Sequence, residues 1–101
     1  MFVVMQTYRI RSEFREEYLE AIRRIAEAGS DLGCVFFEVY ENDDCKNEFT
    51  EMMGFDSWNH YERLRRIPAS AEVANLSSRL ADWMEGGPDA MTVTHLTSVV
   101  D

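Results

Sequence analysis

An apolar run, Phe2-Val3-Val4-Met5, opens the stretch from Phe2 to Ile10, whose β-branched and aromatic residues predict a first strand. After Ser12 the pattern changes. Phe14, Tyr18, Ile22, Ile25 and Ala26 recur at three- and four-residue intervals and predict an amphipathic helix. Ser12 offers an N-cap, Glu13, Glu16 and Glu17 complement the helix dipole, and Gly29 and Gly33 are expected to end the helix. Cys34 to Glu41 reads as a second strand, Asn42 to Asn47 as a polar turn, and Glu48 to Phe55 as a third strand. Asp56 and Ser57 can cap a short helix with Trp58, Tyr61 and Leu64 on one side, interrupted at Pro68. A further helix from about Ser70 to Met84 carries Val73, Leu76, Leu80, Trp83 and Met84 on one stripe. Gly86-Gly87-Pro88 stops it, and Met91 to Val100 closes the chain as a last strand. The order is β-α-β-β-α-β with the second helix split. That is an α+β, ferredoxin-like plan with an antiparallel four-stranded sheet.

The strands are apolar on both sides. Strand two has Val35, Phe37 and Val39 on one face and Phe36 and Tyr40 on the other, and strand one sets Val3 and Met5 opposite Phe2, Val4 and Tyr8. Helices from one chain cover one face of such a sheet, so the other calls for a second apolar surface. The simplest partner is the same face of another copy, giving a two-fold homodimer joined through its sheet faces.

Length and charge narrow the picture further. The 101 residues fit a single domain spanning 1–101, and 46% hydrophobic content fits a packed core. A net charge of −9 opposes long-range attraction to nucleic acid or anionic membrane surfaces, and the clusters Arg23-Arg24 and Arg63, Arg65, Arg66 read as solvated or ion-paired helix faces. No apolar run reaches the roughly 18 residues of a membrane span, and Met1 to Met5 lacks the basic start of a signal peptide. Cys34 and Cys45 lie toward opposite ends of one hairpin, on the order of 30 Å apart along extended chain, so no intrachain disulfide is expected. A reducing, cytoplasmic setting follows.

In its motifs the chain resembles the dimeric α/β-barrel superfamily that includes the antibiotic-biosynthesis monooxygenases. The resemblance runs from Phe2-Val3-Val4 through Gly33-Cys34, Phe37-Glu38-Val39-Tyr40-Glu41 and Phe49-Thr50-Glu51 to Asp56-Ser57-Trp58. It is also similar to the soluble C-terminal domain of transmembrane secretion effector proteins, through Phe49-Thr50-Glu51, Ser57-Trp58, Arg63 to Arg66 and Val93-Thr94-His95-Leu96. The resemblance implies a ligand pocket between the sheet and its own helices. In the cofactor-free quinone-forming members an Asn and a Trp on the third strand and a Tyr on the next helix bind a phenolic substrate. Glu51 and Phe55 occupy the two strand positions here, and Tyr61 keeps the Tyr. The iron-ligating His of haem-degrading relatives has no counterpart between Ser70 and Met84, and Arg65 and Ala69 stand in the His-rich stretch of autoinducer-processing relatives.

The candidate chemistry follows. Glu51 is either an ion pair with Arg63 or Arg79, or a desolvated carboxylate suited to general-base work. His95 is the second catalytic candidate, weighed against a packed strand histidine. Tyr8, Phe55, Tyr61 and Arg63 are the candidate ligand-binding residues, and an enclosed pocket lined by Tyr8, Glu51, Phe55, Tyr61 and His95 is expected. Trp58 reads as a core anchor and His60 as a surface residue. No phosphate loop, metal-ligand spacing or nucleophile–His–acid set is present, so catalysis would use no cofactor and no metal. One reading is therefore oxygenase- or isomerase-type chemistry on an aromatic or polyketide-like ligand. The alternatives are a non-catalytic ligand-sensing or accessory module associated with an exporter, and a plain structural dimer.

Overall fold

A computed structural model describes residues 1–100 of the chain. Its elements are β1 (Phe2–Arg9), α1 (Arg15–Leu32), β2 (Phe36–Glu41), β3 (Glu48–Phe55), α2 (Trp58–Arg65), α3 (Ala71–Trp83) and β4 (Thr92–Thr97). The sheet runs in the order β2-β3-β1-β4 with every neighbouring pair antiparallel. This is the ferredoxin-like α+β architecture that the periodicities imply.

Several boundaries depart from expectation, β2 among them, which starts at Phe36 and not at Cys34. Ser12 does not cap α1; it opens a 3-10 turn, Ser12–Phe14, and α1 starts at Arg15. The turn lets the Phe14 ring stack on Trp83 at 5.9 Å. Gly29 lies inside α1, and only Gly33, at φ 100°, ends it in the left-handed conformation. A helical glycine costs about 1 kcal/mol relative to alanine. Here the missing Cβ admits the ring of Phe37, which a Cβ would meet at 2.8 Å. β4 stops at Thr97, leaving Val99 and Val100 exposed. The two later helices start as anticipated: Ser57 Oγ accepts from the His60 N–H at 3.1 Å and Ser70 Oγ from the Val73 N–H at 3.2 Å.

Register assigns each strand residue to a face. The helix-covered face carries the rows Phe55–Phe2–Thr97, Phe37–Met53–Val4–His95 and Val39–Glu51–Gln6–Val93. One core centres on Tyr8, Tyr18, Ile22, Phe49 and Leu80, between the sheet and α1 and α3. A second, smaller one joins Phe2, Val4 and Phe55 to Tyr61 and Leu64 of α2. The opposite face carries no helix. Its rows are Phe36–Gly54–Val3–Leu96, Glu38–Met52–Met5–Thr94 and Tyr40–Thr50–Thr7–Thr92.

Trp58 does not anchor the core; it is 55% exposed. At 100° per residue it sits roughly 90° from the direction midway between Tyr61 and Leu64, the side of α2 that faces the sheet. His60 is the reverse case. Its ring packs edge-on against Phe55 at 5.8 Å, and its Nδ1 accepts from the Asp56 N–H at 2.9 Å, which leaves the side chain mostly covered. Cys34 and Cys45 are both free thiols.

Candidate functional site

Where Pro68 separates α2 from α3, the connecting segment spans a gap above β2 and β3. Beneath it lies a cavity of about 500 Å³. Its inner walls come from every neighbouring element: Ile25 and Gly29 of α1, Phe37 and Met53 of the sheet, Leu64 of α2 and Val73 of α3. Exposed residues form the rim, with Asp31 and Leu32 on one side and Arg65 and Ile67 to Ser70 on the other. The walls are almost wholly apolar because they are stretches of core left uncovered where the split helix opens.

Two groups bring polar chemistry to the interior. The Cys34 thiol donates to the Gly29 carbonyl at 3.1 Å, and burial pushes its pKa up, which keeps it protonated. Tyr61 lines the cavity and stands in an aromatic cluster, its ring 5.1 Å from Phe55, 5.3 Å from Phe2 and 5.8 Å from His95. Arg65 at the rim is held by Glu62 at 2.6 Å, which draws the Glu62 carboxyl below its ordinary range.

Of the residues expected to line a common pocket, Phe55 and Tyr61 do so; Tyr8, Glu51 and His95 are not on its walls. Glu51 lies on the same sheet face as Met53, one row further in. It is 7% exposed, and burial raises its pKa, opposed in part by hydrogen bonding from Tyr8. The Tyr8 and Tyr18 hydroxyls hydrogen-bond at 2.7 Å, and burial pushes both phenols well above their usual value, with the charge at Glu51 adding to the rise in each. The expected ion pair with Arg63 or Arg79 is not formed. Both arginines lie on exposed sides of their helices, whereas Glu51 faces inward from the sheet, and no ion pair among the described residues involves it. His95 is exposed on β4, edge-on to Phe2 and Tyr61. It pairs with Val4 while Glu51 pairs with Gln6, so β1 lies between the two candidates, roughly 10 Å of sheet. Arg63 is exposed and off the cavity; Arg65 reaches the rim instead. No three His, Cys, Asp or Glu side chains among the described residues come together as a metal site.

The residues that build the cavity but escaped the sequence reading are Ile25, Gly29, Cys34, Phe37, Met53 and Val73. Gly29 was the one available signal, a glycine within a sustained helical stripe.

The family model for antibiotic biosynthesis monooxygenases matches residues 1–75. Among solved structures, one of an antibiotic biosynthesis monooxygenase superposes with a TM-score of 0.80 at 14% identity, covering 99% of this chain and 100% of that one. SnoaB, a cofactor-independent oxygenase from Streptomyces nogalater, gives 0.77 at 11% identity, with 99% and 94% covered. Rv0793 from Mycobacterium tuberculosis gives 0.77 at 15% identity, with 99% and 96% covered. No curated protein matches the sequence.

Proposed function

The chain belongs to the antibiotic biosynthesis monooxygenase family, and from that premise we propose that it binds an aromatic or polyketide-like molecule in this cavity and oxidises it without a cofactor. The observation that carries the reading is the cavity itself. At about 500 Å³, between the sheet and its own helices, it falls within the roughly 300–1,000 Å³ of pockets that enclose a small organic ligand. In this chemistry the substrate supplies the electrons. A base removes a proton from a phenolic hydroxyl or an anthrone methylene, the resulting delocalised carbanion reduces dioxygen, and a hydroperoxide forms at a ring carbon that still carries a hydrogen. Loss of water leaves a ketone, so one oxygen atom enters product and the other leaves as water.

Glu51 is the candidate base. It stands one row behind Met53, and its raised pKa brings it closer to the working range of a general base. Phe55 and Tyr61 bind the ring, and His95, packed on Tyr61, positions it. The working unit is a homodimer of single domains joined through the uncovered sheet faces. We place it in the cytosol, consistent with two free cysteines and with no described helix long and apolar enough to cross a membrane.

A second reading, a non-catalytic ligand-sensing or accessory module working with an exporter, is favoured by one feature. Neither Glu51 nor His95 lines the cavity. Oxygen uptake with anthrone and phenolic quinols separates the two. The oxygenase reading expects uptake matched to quinone formation and a fall of about 10²-fold or more in kcat for Glu51→Gln. Binding without uptake selects the sensing module, and absence of binding across the panel removes both.

A further inference from the structure

Resting on the proposed ligand site, we infer that the contact between Gly29 and Phe37 sets the depth of the cavity, and that its ligand presents an unsubstituted hydrocarbon end to that wall. Phe37 lies on β2, facing α1, and its Cδ2 sits only 2.8 Å from where a Cβ on Gly29 would be. The ring can hold that position only because residue 29 is glycine. Both residues line the cavity. Around them stand Ile25, Ala28, Met53 and Val73, which offer a ligand no side-chain donor and no acceptor stronger than the Met53 thioether. The Cys34 thiol, which also lines the cavity, donates its proton to the Gly29 carbonyl. A hydroxyl or carbonyl pressed against this wall would lose its water partners and find no replacement, a penalty of several-fold to more than a hundred-fold in affinity. Polar atoms of the ligand are accommodated elsewhere, at the Tyr61 side of the cavity or at the Asp31, Arg65 and Ser70 rim.

The ligand class this selects is an alkyl-substituted or partly unsubstituted aromatic, with its oxygens gathered at one end. A ring system hydroxylated all round its edge is selected against. Gly29 is thus a specificity-determining position. It lies in regular helix, where alanine is the better helix former, so the substituted chain retains its fold.

Calorimetric titration with a series of 4-alkylphenols tests this. In the parent protein affinity rises about four-fold per added methylene and then levels off as the chain meets Phe37. Gly29→Ala displaces the ring, and the longest member that fits the parent loses about ten-fold while phenol itself is little changed. Phe37→Ala moves the plateau to longer chains, and in that background Gly29→Ala has no effect. A uniform loss across the series in Gly29→Ala, an unchanged plateau in Phe37→Ala, or equal binding of a polyhydroxylated anthraquinone and its alkyl analogue overturns the inference while leaving the ligand site standing. No heat with any probe removes the site reading itself.

Discussion

Two glutamates in this small molecule carry opposite pH signatures. Burial raises the Glu51 carboxyl above its value in the unfolded chain, roughly 4.3, so the folded state holds that proton more tightly. Its contribution to stability is full below the unfolded pKa and is lost as pH rises through the folded one. Glu51→Gln keeps the shape and removes the titration. The variant should melt close to the parent at pH 4 and above it at pH 8, so a gap that does not widen with pH would reject this account. Glu41 behaves in reverse. Arg15 grips it through both guanidinium nitrogens at 2.6 and 2.8 Å, and the Asn47 N–H donates to it at 2.8 Å. These bonds hold its pKa down to about 2, so their stabilisation is present above the unfolded value and lost as pH falls toward 2. The pair is partly solvated, and Glu41→Gln is expected to cost about 1 kcal/mol or less at neutral pH. That difference should close near pH 2 in chemical denaturation.

At the level of the elements, glycines decide how closely neighbours approach. Gly54 on β3 lies under Phe36 of β2, and a Cβ there would overlap the ring. No helix covers Phe36, so its ring would yield by turning off the sheet and losing its packing against residue 54. Gly54→Ala is therefore expected to cost about 1–3 kcal/mol, read as a lower urea midpoint at unchanged m-value. The elements themselves were legible in the sequence because their periods, two and 3.6, are local. So was the cap at Ser57, which depends on residues three positions apart; Ser70 is legible only as the start of a helix, and its capping bond to Val73 appears in the structure. Trp58 was misjudged because its three-residue spacing to Tyr61 fits the buried side of α2 only when the direction of Leu64 is ignored. The cavity was illegible for a different reason. Ile25, Met53 and Val73 look the same in sequence whether they pack against protein or face a void, and they meet only through the tertiary fold. Glu51 was legible as a carboxylate in an apolar strand, but its partners were not: they are two tyrosines, one of them from α1, and no arginine.

For the molecule as a whole, the uncovered sheet face grades from apolar to polar along the strands. Phe36, Val3 and Leu96 share one row, Met52 and Met5 the next, and then come three threonines, with Thr7 and Thr50 hydrogen-bonded at 2.9 Å. Leu96 is 42% exposed and Tyr40 50%. An apolar zone of this kind on so small a chain favours self-association, while a charge of −9 on each copy opposes it. The two effects answer differently to salt. Raising ionic strength shortens the Debye length from roughly 10 Å at 0.1 M to about 3 Å at 1 M, which weakens the repulsion and leaves apolar burial intact. The proposed dimer should therefore tighten with salt, whereas an assembly held by ion pairs would loosen. Sedimentation at micromolar concentration should show a dimer in the parent protein. Met5→Glu, which puts a carboxylate in the middle of the face and leaves the helix-covered core untouched, should sediment as an 11.8 kDa particle with unchanged far-ultraviolet dichroism. A parent protein that stays at that mass in 1 M salt would mean the face is covered by something other than a second copy.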